Sequence, residues 1–477
     1  MSKLTKVLFL ASEADPFIKV GGLGDVAGSL PYALQALEAG LDVRLVIPFH
    51  SAIRAEGLSL AREAVFSVPR SGGEVPAQVF RTEIHGLTVY LISGAPITDS
   101  LKVYDPTPAV DGEKYIFFSL AALELARHLD WRPDILQAND WHTAAALYQV
   151  KRSQTDPFWR GVKTVFTIHN LGYMGAEAEN VLWDYNLPPI FEPLLPPWAR
   201  HQPMPLGLWS ADAIVAVSPS YAEEIQTPEY GYGLETFLRS RRKRISGIVN
   251  GIDYSGWNPA QDDALTANFT ADSLAARPAN KAALQTQFGL ERDSSLPLLA
   301  MVTRMDQQKG VDIALEALRI SADLPWQAIL LGTGSAALEE SARRLESDFP
   351  NRVSAAIRFD SKLSRQIYSG ADLLLMPSRY EPCGLAQMIA MRYGALPLAR
   401  ATGGLRDTIA DGRTGFLFTE ASPSVMAATL RRALNAYQRR AHWQTMQKSA
   451  MVENFSWERS ARQYADLYQT LLTKNNP

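Results

Sequence analysis

VLFLASEADPFIKVGGLGDVAGSLPYALQALEAGLDVRLVI, residues 7–47, reads as strand, glycine-rich loop, helix and strand. Residues 7–12 are a continuous apolar run, as expected of a parallel strand covered on both faces. Lys19-Val-Gly-Gly-Leu-Gly-Asp25 forms the loop. Residues 26–39 are predicted helical, started late or bent by Pro31 and stopped by Gly40. Residues 43–47 give the second strand. Further strands are expected at 89–92, 135–137, 165–168 and 213–217, with helical stretches between most of them, notably 115–129. Strands alternating with helices predict an open α/β sheet.

The second half repeats the plan. LLAMV at Leu298–Val302 is an apolar strand, followed by a polar loop and a helix over 311–322. Strands at 328–331, 353–359, Leu373–Met376 and 395–398 continue the series. Between the halves, 256–278 is richer in Asp, Ala, Asn and Pro, which places a hinge in 245–258. The tail, 456–472, is helical with apolar positions at Tyr464, Leu467, Tyr468, Leu471 and Leu472. The expected boundaries are 1–248, 249–455 and a terminal helix at 456–477. Open α/β sheets bind ligands beyond the C-terminal ends of their strands, so reactive residues should lie on loops after strands in both halves.

The bulk properties narrow the function classes. The chain has 477 residues, 47% hydrophobic and 20% charged, with formal net charge −3, which fits two or three globular domains and not a disordered or nucleic-acid-binding chain. The one dense basic run, Arg239 to Arg244, reads as a solvated helix end rather than a polyanion site. A single cysteine, Cys383, excludes an intrachain disulfide framework and cysteine-rich metal sites. No run approaches the about 18 apolar residues a membrane span needs. These features point to a reduced intracellular compartment, the cytoplasm, or the plastid stroma for a plant or algal source.

Four constellations carry chemistry. Gly21, Gly22 and Gly24 let backbone approach a phosphate at a helix start, and Lys19 adds a full positive charge. A dinucleotide reading of Gly22, Gly24 and Gly28 lacks its acid, because the second strand ends Ile47-Pro-Phe-His50. After the strand at 298–302, Arg304 and Lys309 sit five apart on one loop and can grip a diphosphate, although many solvated loops carry such a pair. Ser378-Arg-Tyr-Glu-Pro-Cys-Gly-Leu385 follows another strand; Glu381 can hold sugar hydroxyls there or simply cap a helix, and Thr402-Gly-Gly404 offers a second backbone cradle. Thr167-Ile-His-Asn170 and Asp140-Trp-His142 each follow a strand, and their histidines read equally as structural or reactive. No Asp-x-Asp pair occurs. A departing diphosphate would then be neutralised by Arg304, Lys309, Lys19 and helix dipoles, with no metal and no cofactor.

In chain order, Lys19-Val-Gly-Gly-Leu-Gly-Asp, Thr167-Ile-His-Asn, Ser218-Pro-Ser-Tyr-Ala, Asn250-Gly-Ile-Asp, Arg304 with Gln308-Lys-Gly, Pro377-Ser-Arg-Tyr-Glu-Pro-Cys-Gly-Leu and Thr402-Gly-Gly-Leu closely resemble the bacterial glycogen synthase and plant starch synthase family. The resemblance runs from about Lys6 to Leu471. It implies a GT-B fold: two Rossmann-like domains with parallel sheets facing a cleft, and a C-terminal helix crossing back. It also implies retaining transfer of glucose from ADP-glucose, or less often UDP-glucose, to the non-reducing end of an α-1,4-glucan such as glycogen, starch or a maltooligosaccharide. By that likeness Lys19, Gly21, Gly22 and Asn250 are donor-side, and Arg304 and Lys309 bind the diphosphate. Glu381, Cys383, Gly384 and Leu385 hold the glucose with Thr402, Gly403 and Gly404, and Phe359 lies against the base unless it is a core residue ending its strand. His169 sits over the reacting carbon. Asp25, Asp140, Trp141, His142, Asn170 and Tyr173 are acceptor-side.

Three departures stand out. Lys19-Val replaces the commoner Lys-Thr. Pro205 occupies the place where many relatives carry Lys. Ile389 stands eight residues after Glu381, where related transferases often have a second Glu. The competing readings are another retaining transferase of the same fold, a pyridoxal-phosphate glucan phosphorylase, and a non-catalytic glucan-binding or priming homologue.

Overall fold

The computed structural model describes residues 4–37 and 40–473. The chain divides into two compact units, with boundaries at Gly251/Ile252 and Ser456/Trp457; the C-terminal helix belongs to the first unit.

The first unit is built on nine strands: β1 (Thr5–Leu10), β2 (Leu41–Pro48), β3 (Ala61–Arg70), β4 (Gly73–Ile84), β5 (Leu87–Ser93), β6 (Ile135–Asn139), β7 (Lys163–Ile168), β8 (Ala213–Ala216) and β9 (Ile245–Gly247). Their order is β3-β4-β5-β2-β1-β6-β7-β8-β9. All neighbours pair in parallel except β3–β4 and β4–β5. The strand order reverses between β1 and β6, which is the switch point where such sheets open a crevice. Val7, Phe9, Val43, Leu45 and Ile47 pack against Val26, Leu30 and Leu34 of the helix Gly22–Ala36. Trp457, Tyr464 and Tyr468 of the helix Trp457–Thr473 close the same core. Each large apolar side chain so buried contributes about 1.5–3 kcal/mol. The Tyr468 hydroxyl bonds Gln137 Oε1, and Ser460 Oγ donates to the Val249 carbonyl at 2.6 Å, so these two bonds tie the closing helix to the rest of the unit.

The helix over Gly22–Ala36 corrects the sequence expectation. It starts four residues earlier and runs through Pro31 instead of being started or broken by it. Proline in a helix interior costs about 3 kcal/mol. Burial of Val26, Ala27, Leu30, Pro31 and Leu34 against the sheet offsets that cost. Residues 38 and 39 of the expected helix lie outside the described residues.

The second unit has six strands: β10 (Leu298–Val302), β11 (Gln327–Gly332), β12 (Val353–Ile357), β13 (Leu373–Met376), β14 (Leu396–Arg400) and β15 (Phe416–Phe418). Their order is β12-β11-β10-β13-β14-β15, with every pairing parallel. Here the switch point lies between β10 and β13. A buried polar knot anchors the base of β10 and β13. Asp372 accepts from Lys281 Nζ at 2.7 Å and from the Leu298 amide at 2.8 Å, and Lys281 also reaches the Tyr437 hydroxyl at 2.8 Å. The strand expected over 353–359 stops at Ile357. The basic run from Arg239 to Arg244 is a solvent-facing turn after a short helix. Among the described residues no helix is long and apolar enough to cross a membrane, and no three His, Cys, Asp or Glu side chains converge as a metal site would need.

Candidate active site

Each unit carries a cluster of polar residues at its own switch point. In the first unit the chain leaves β1 into Ser12 and Glu13, both buried. The Glu13 carboxylate accepts from the amides of Val20 and Gly21, the latter at 3.2 Å, and so folds the Lys19-Val20-Gly21 turn back over the strand end. Burial pushes the Glu13 carboxyl up, and these amide bonds oppose the shift. Lys19 Nζ lies 2.5 Å from Asp25 Oδ1 on the first turn of the helix Gly22–Ala36. Burial also raises Asp25 against the pull of Lys19. Gly21, the residue before this helix, has no side chain to cap it, and the carboxylates of Glu13 and Asp25 face the helix start instead.

The glycines of this loop do different work. A Cβ on Gly28 would come within 2.3 Å of the Asp15 carbonyl, so the fold itself demands glycine there. A Cβ on Gly22 would meet nothing within 4 Å, so close packing does not explain that glycine. The dinucleotide reading fails at the place the sequence indicated. Beyond β2, His50 is buried and its Nε2 bonds the Ser12 carbonyl at 2.8 Å.

Across the switch point, β6 delivers Asn139 and Asp140, and β7 delivers His169 and Asn170. Asp140 Oδ1 accepts from the amides of His169, at 2.7 Å, and Asn170, at 3.2 Å. Burial raises its carboxyl to about 7. His169 Nε2 lies 2.9 Å from Asn139 Oδ1, while Asn139 Nδ2 donates to the Leu10 carbonyl at 2.8 Å. The Leu10 carbonyl fixes the Asn139 amide, so Nε2 must be the donor and Nδ1 the lone pair. Burial lowers the His169 pKa to about 3, which keeps the ring neutral.

The remaining first-unit candidates separate. Trp141 covers Gly175, where a Cβ would lie 2.6 Å from the indole. Asn170 Oδ1 accepts from the Gly172 amide at 3.1 Å, and Tyr173 projects outward. His142 turns inward among Tyr104, Tyr115 and Trp141, with ring centroids 4.3–5.0 Å away, and its pKa is pushed well down by burial. Asn250 is buried at the end of the first unit; its Oδ1 has no partner among the described residues. Pro205 is buried within the helix Pro203–Ser210.

In the second unit, the loop after β10 and the loop after β13 are stitched together. The Arg379 amide donates to the Gln308 carbonyl at 2.8 Å, and the Arg379 guanidinium binds both oxygens of Asp312 at 2.8 and 2.7 Å. Gly310 has φ +65°, and a Cβ there would approach the Pro377 carbonyl to 2.1 Å, so only glycine allows this seam. Lys309 Nζ contacts both oxygens of Glu381, at 2.8 and 2.7 Å, and Ser378 Oγ donates to Oε2 at 2.9 Å. Asp306 holds the loop: its Oδ1 accepts from the Lys309 amide at 2.9 Å, and its Oδ2 lies 3.4 Å from the mostly exposed Arg304.

The loop after β14 completes the cluster. The Gly404 amide donates to the Glu381 carbonyl at 3.1 Å, and Cβ atoms on Gly403 or Gly404 would collide with the carbonyls of Glu381 and Cys383 at 2.0 and 2.1 Å. Gln387 Nε2 donates to the carbonyls of Cys383 and Gly384, each at 3.0 Å, which fixes the turn leading to Leu385. Glu381, Cys383 and Thr402 are buried. Ile389 is buried in the helix that follows, so no second acid is available from that position. Phe359 is not the core residue the sequence allowed: it lies two residues past β12 and is 88% exposed.

Sequence reasoning missed Glu13, Asn139, Asp306, Ser378 and Gln387. Glu13 was detectable as an acid directly after an apolar strand. Asp306, Ser378 and Gln387 hold neighbours three or four residues away within their own turns, and Asn139 reaches His169 across 30 residues; apolar periodicity reveals neither.

The chain as a whole is matched by known proteins. A model described as starch synthase catalytic domain matches residues 6–240, and one described as glycosyl transferases group 1 matches residues 285–449. The glycogen synthase of Geotalea daltonii is 40% identical over 98% of this chain and 99% of its own length. The chain belongs to the glycogen synthase family. Glycogen synthase of Bacillus cereus strain Q1 is 39% identical over the same shares. The catalytic domain of starch synthase IV from Arabidopsis thaliana, solved with ADP and acarbose, superposes with TM-score 0.88 at 32% identity, covering 99% of this chain and 100% of that one. Membership makes this protein a GT-B enzyme, a hexosyltransferase that draws on a nucleotide-sugar.

Proposed function

We propose that the protein transfers glucose from ADP-glucose, with UDP-glucose as the lesser donor, to the non-reducing end of an α-1,4-glucan in the cytoplasm, with retention and without a metal. The observation that carries this reading is the Lys309–Glu381–Ser378 cluster backed by Thr402–Gly404. It offers a cation for a diphosphate, a fixed carboxylate for sugar hydroxyls and a turn whose backbone is held rigid by Gln387. The Arabidopsis relative with bound ADP supports the choice of nucleotide.

In this reading Arg304 and Lys309 stabilise the charge that grows on the diphosphate as the bond from the glucose C1 to the phosphate oxygen breaks. The acceptor 4-hydroxyl attacks C1 on the same face, forming the new C–O bond, and its proton passes to the departing phosphate. Glu381 holds the sugar. Lys19 and the open backbone at Gly22 add a second anion-binding element. His169 stays neutral, so it orients and does not act as a strong acid; Asp140 pins the His169 and Asn170 amides in place. In this metal-free reading chelator should leave the rate unchanged, whereas reversible loss with EDTA would refute it.

The test is an incorporation assay. Purified protein is given radiolabelled ADP-glucose or UDP-glucose with glycogen, and the product is digested with an α-1,4-specific amylase. Label in amylase-sensitive glucan, higher from ADP-glucose, is expected. A single small disaccharide product, or no transfer from either donor, would overturn the proposal.

A further inference from the structure

The second unit holds an open pocket that no step of the transfer uses. Its volume is about 510 Å³, within the range of small-molecule sites, and every residue lining it belongs to this unit. The buried part of the lining is apolar: Pro259, Phe269 and Met451, the last two packed in one small core cluster. The remaining lining carries charge. Glu453 is already paired with Arg413 at 2.7 Å, whereas Asp272 is exposed and makes no ion pair among the described residues.

Arg392 is the cation of this pocket. It ends the helix Ala386–Arg392, and its guanidinium lies over the Tyr254 ring, 4.5 Å from the centroid. Its Nε is shut off from solvent with no hydrogen-bond partner, and the side chain makes no ion pair among the described residues. A buried N–H without an acceptor is costly, so this group favours an incoming acceptor, and an anion would satisfy both the N–H and the full charge. The unpaired Asp272 disfavours a second negative charge on the ligand. The apolar lining favours a hydrocarbon body. Two links lead out of the pocket. The Tyr254 hydroxyl donates to the Glu453 carbonyl at 2.9 Å and accepts from the Phe455 amide at 2.8 Å, and the Ile252 amide donates to the Phe455 carbonyl at 2.8 Å. Tyr254 thus clasps together the segments by which the chain enters and leaves the second unit. The helix that ends in Arg392 starts after Leu385, and its Gln387 holds the carbonyls of Cys383 and Gly384 at 3.0 Å. An occupant that fixes Arg392 and Tyr254 therefore steadies the turn of the Glu381 cluster, and part of the ordering cost of nucleotide binding is met in advance.

We infer that this pocket is an effector site for a small monocarboxylate with an apolar body, and that its occupation tightens nucleotide binding at the Glu381 cluster. The inference goes beyond the transfer reaction and rests only on the placement of the nucleotide in the second unit.

Two measurements test it. The first follows benzoate, phenylacetate and hexanoate by saturation-transfer NMR, with benzamide as the neutral control, on protein saturated with ADP so that the diphosphate site is filled. At least one carboxylate should bind. Its Kd should rise about tenfold or more in Arg392→Gln and recover in part in Arg392→Lys. It should rise as much in Ala260→Trp, a substitution at an exposed lining residue that fills the pocket and leaves Arg392 in place. Binding of none of the three, equal binding of benzamide, or undiminished binding in either Arg392→Gln or Ala260→Trp would overturn the site. The second measurement titrates ADP calorimetrically with and without the carboxylate that binds best. The Kd for ADP should fall about fivefold in wild type and stay unchanged in Ala260→Trp. A carboxylate that occupies the pocket without changing ADP affinity would overturn the effector role. If wild type alone fails to bind ADP, the nucleotide placement is refuted instead, and the first measurement without ADP still decides whether the pocket takes a carboxylate.

Discussion

The two clusters hold polar groups in opposite ways. In the first unit the groups are dehydrated: Asp140 is pushed up to about 7, His169 down to about 3, and His50 down to about 4, all led by burial. In the second unit the groups are paired: Lys309 with Glu381, Arg304 with Asp306, and Arg379 with Asp312. A dehydrated site tunes which groups are neutral and fixes their direction. A paired site stores full charges that an incoming diphosphate and sugar can recruit. The proposed transfer from a charged donor to a neutral acceptor would draw on both kinds of environment, and the chain builds one on each sheet.

That contrast predicts unequal damage. Glu381→Ala should give the largest loss, about 1,000-fold in kcat/KM with the fold intact, since the sugar loses its fixed carboxylate. Steady-state kinetics on a variant with wild-type circular dichroism checks this, and retained activity would remove Glu381 from the site. Lys309→Ala should cost about 100-fold in kcat/KM. Its effect on stability should exceed that of Glu381→Ala, at about 3 kcal/mol in urea titrations, because it strands a buried carboxylate. The reverse substitution leaves a lysine that can reach water. Equal stabilities for the two variants would show that the pair is not buried in the sense used here.

The first unit should respond more gently. Asn139→Ala frees His169 to rotate and change tautomer, and should lower kcat about tenfold with little change in donor KM. Asp140→Asn should be milder still in activity, because the amide oxygen keeps the bonds to the His169 and Asn170 amides, but it should change the pH dependence of stability. With a folded pKa near 7 against an ordinary value of 3.8, Asp140 keeps its proton in the native state while the unfolded chain ionises. Its contribution is therefore full below about pH 4, falls by about 1.4 kcal/mol per pH unit as pH rises, and is gone above about 7. Asp140→Asn should remove that slope, so the variant gains on wild type between about pH 4 and pH 7; parallel stability curves would refute the buried acid. His169 has the opposite sign. Its depressed pKa costs stability as pH falls below its ordinary 6.5, and it gives no ionisation step in kcat between pH 5 and 8.

The sheets were legible because their strands are apolar and covered on both faces; LLAMV at 298–302 announces β10 without further help. The antiparallel hairpin β3–β4 escaped notice because only alternate residues are buried, such as Phe66, Val68, Val75 and Ala77, and the pattern reads as loop. The charged members of the site were legible as odd residues after strands: Lys19, Arg304, Lys309 and Glu381. Their supports were not. Ser378 reaches Glu381 within one turn, but Asn139 reaches His169 across 30 residues, and the carbonyl that holds the Asn139 side-chain amide comes from Leu10, on the neighbouring strand. Such bonds follow from strand order, which a reading of local periodicity does not supply. The helix start at Gly22 was misplaced for a related reason: glycine is a poor helix former, and only the clamp of Glu13 on Val20 and Gly21 makes that start definite.

The division between a charge-paired and a dehydrated cluster is tested most directly by titrating ADP into wild type, Lys309→Ala and Asn139→Ala in a calorimeter. ADP affinity should fall tenfold or more in Lys309→Ala, about 1.4 kcal/mol, and stay within twofold of wild type in Asn139→Ala. Undiminished affinity in Lys309→Ala, or an equal loss in both variants, would contradict the assignment of diphosphate binding to the second unit.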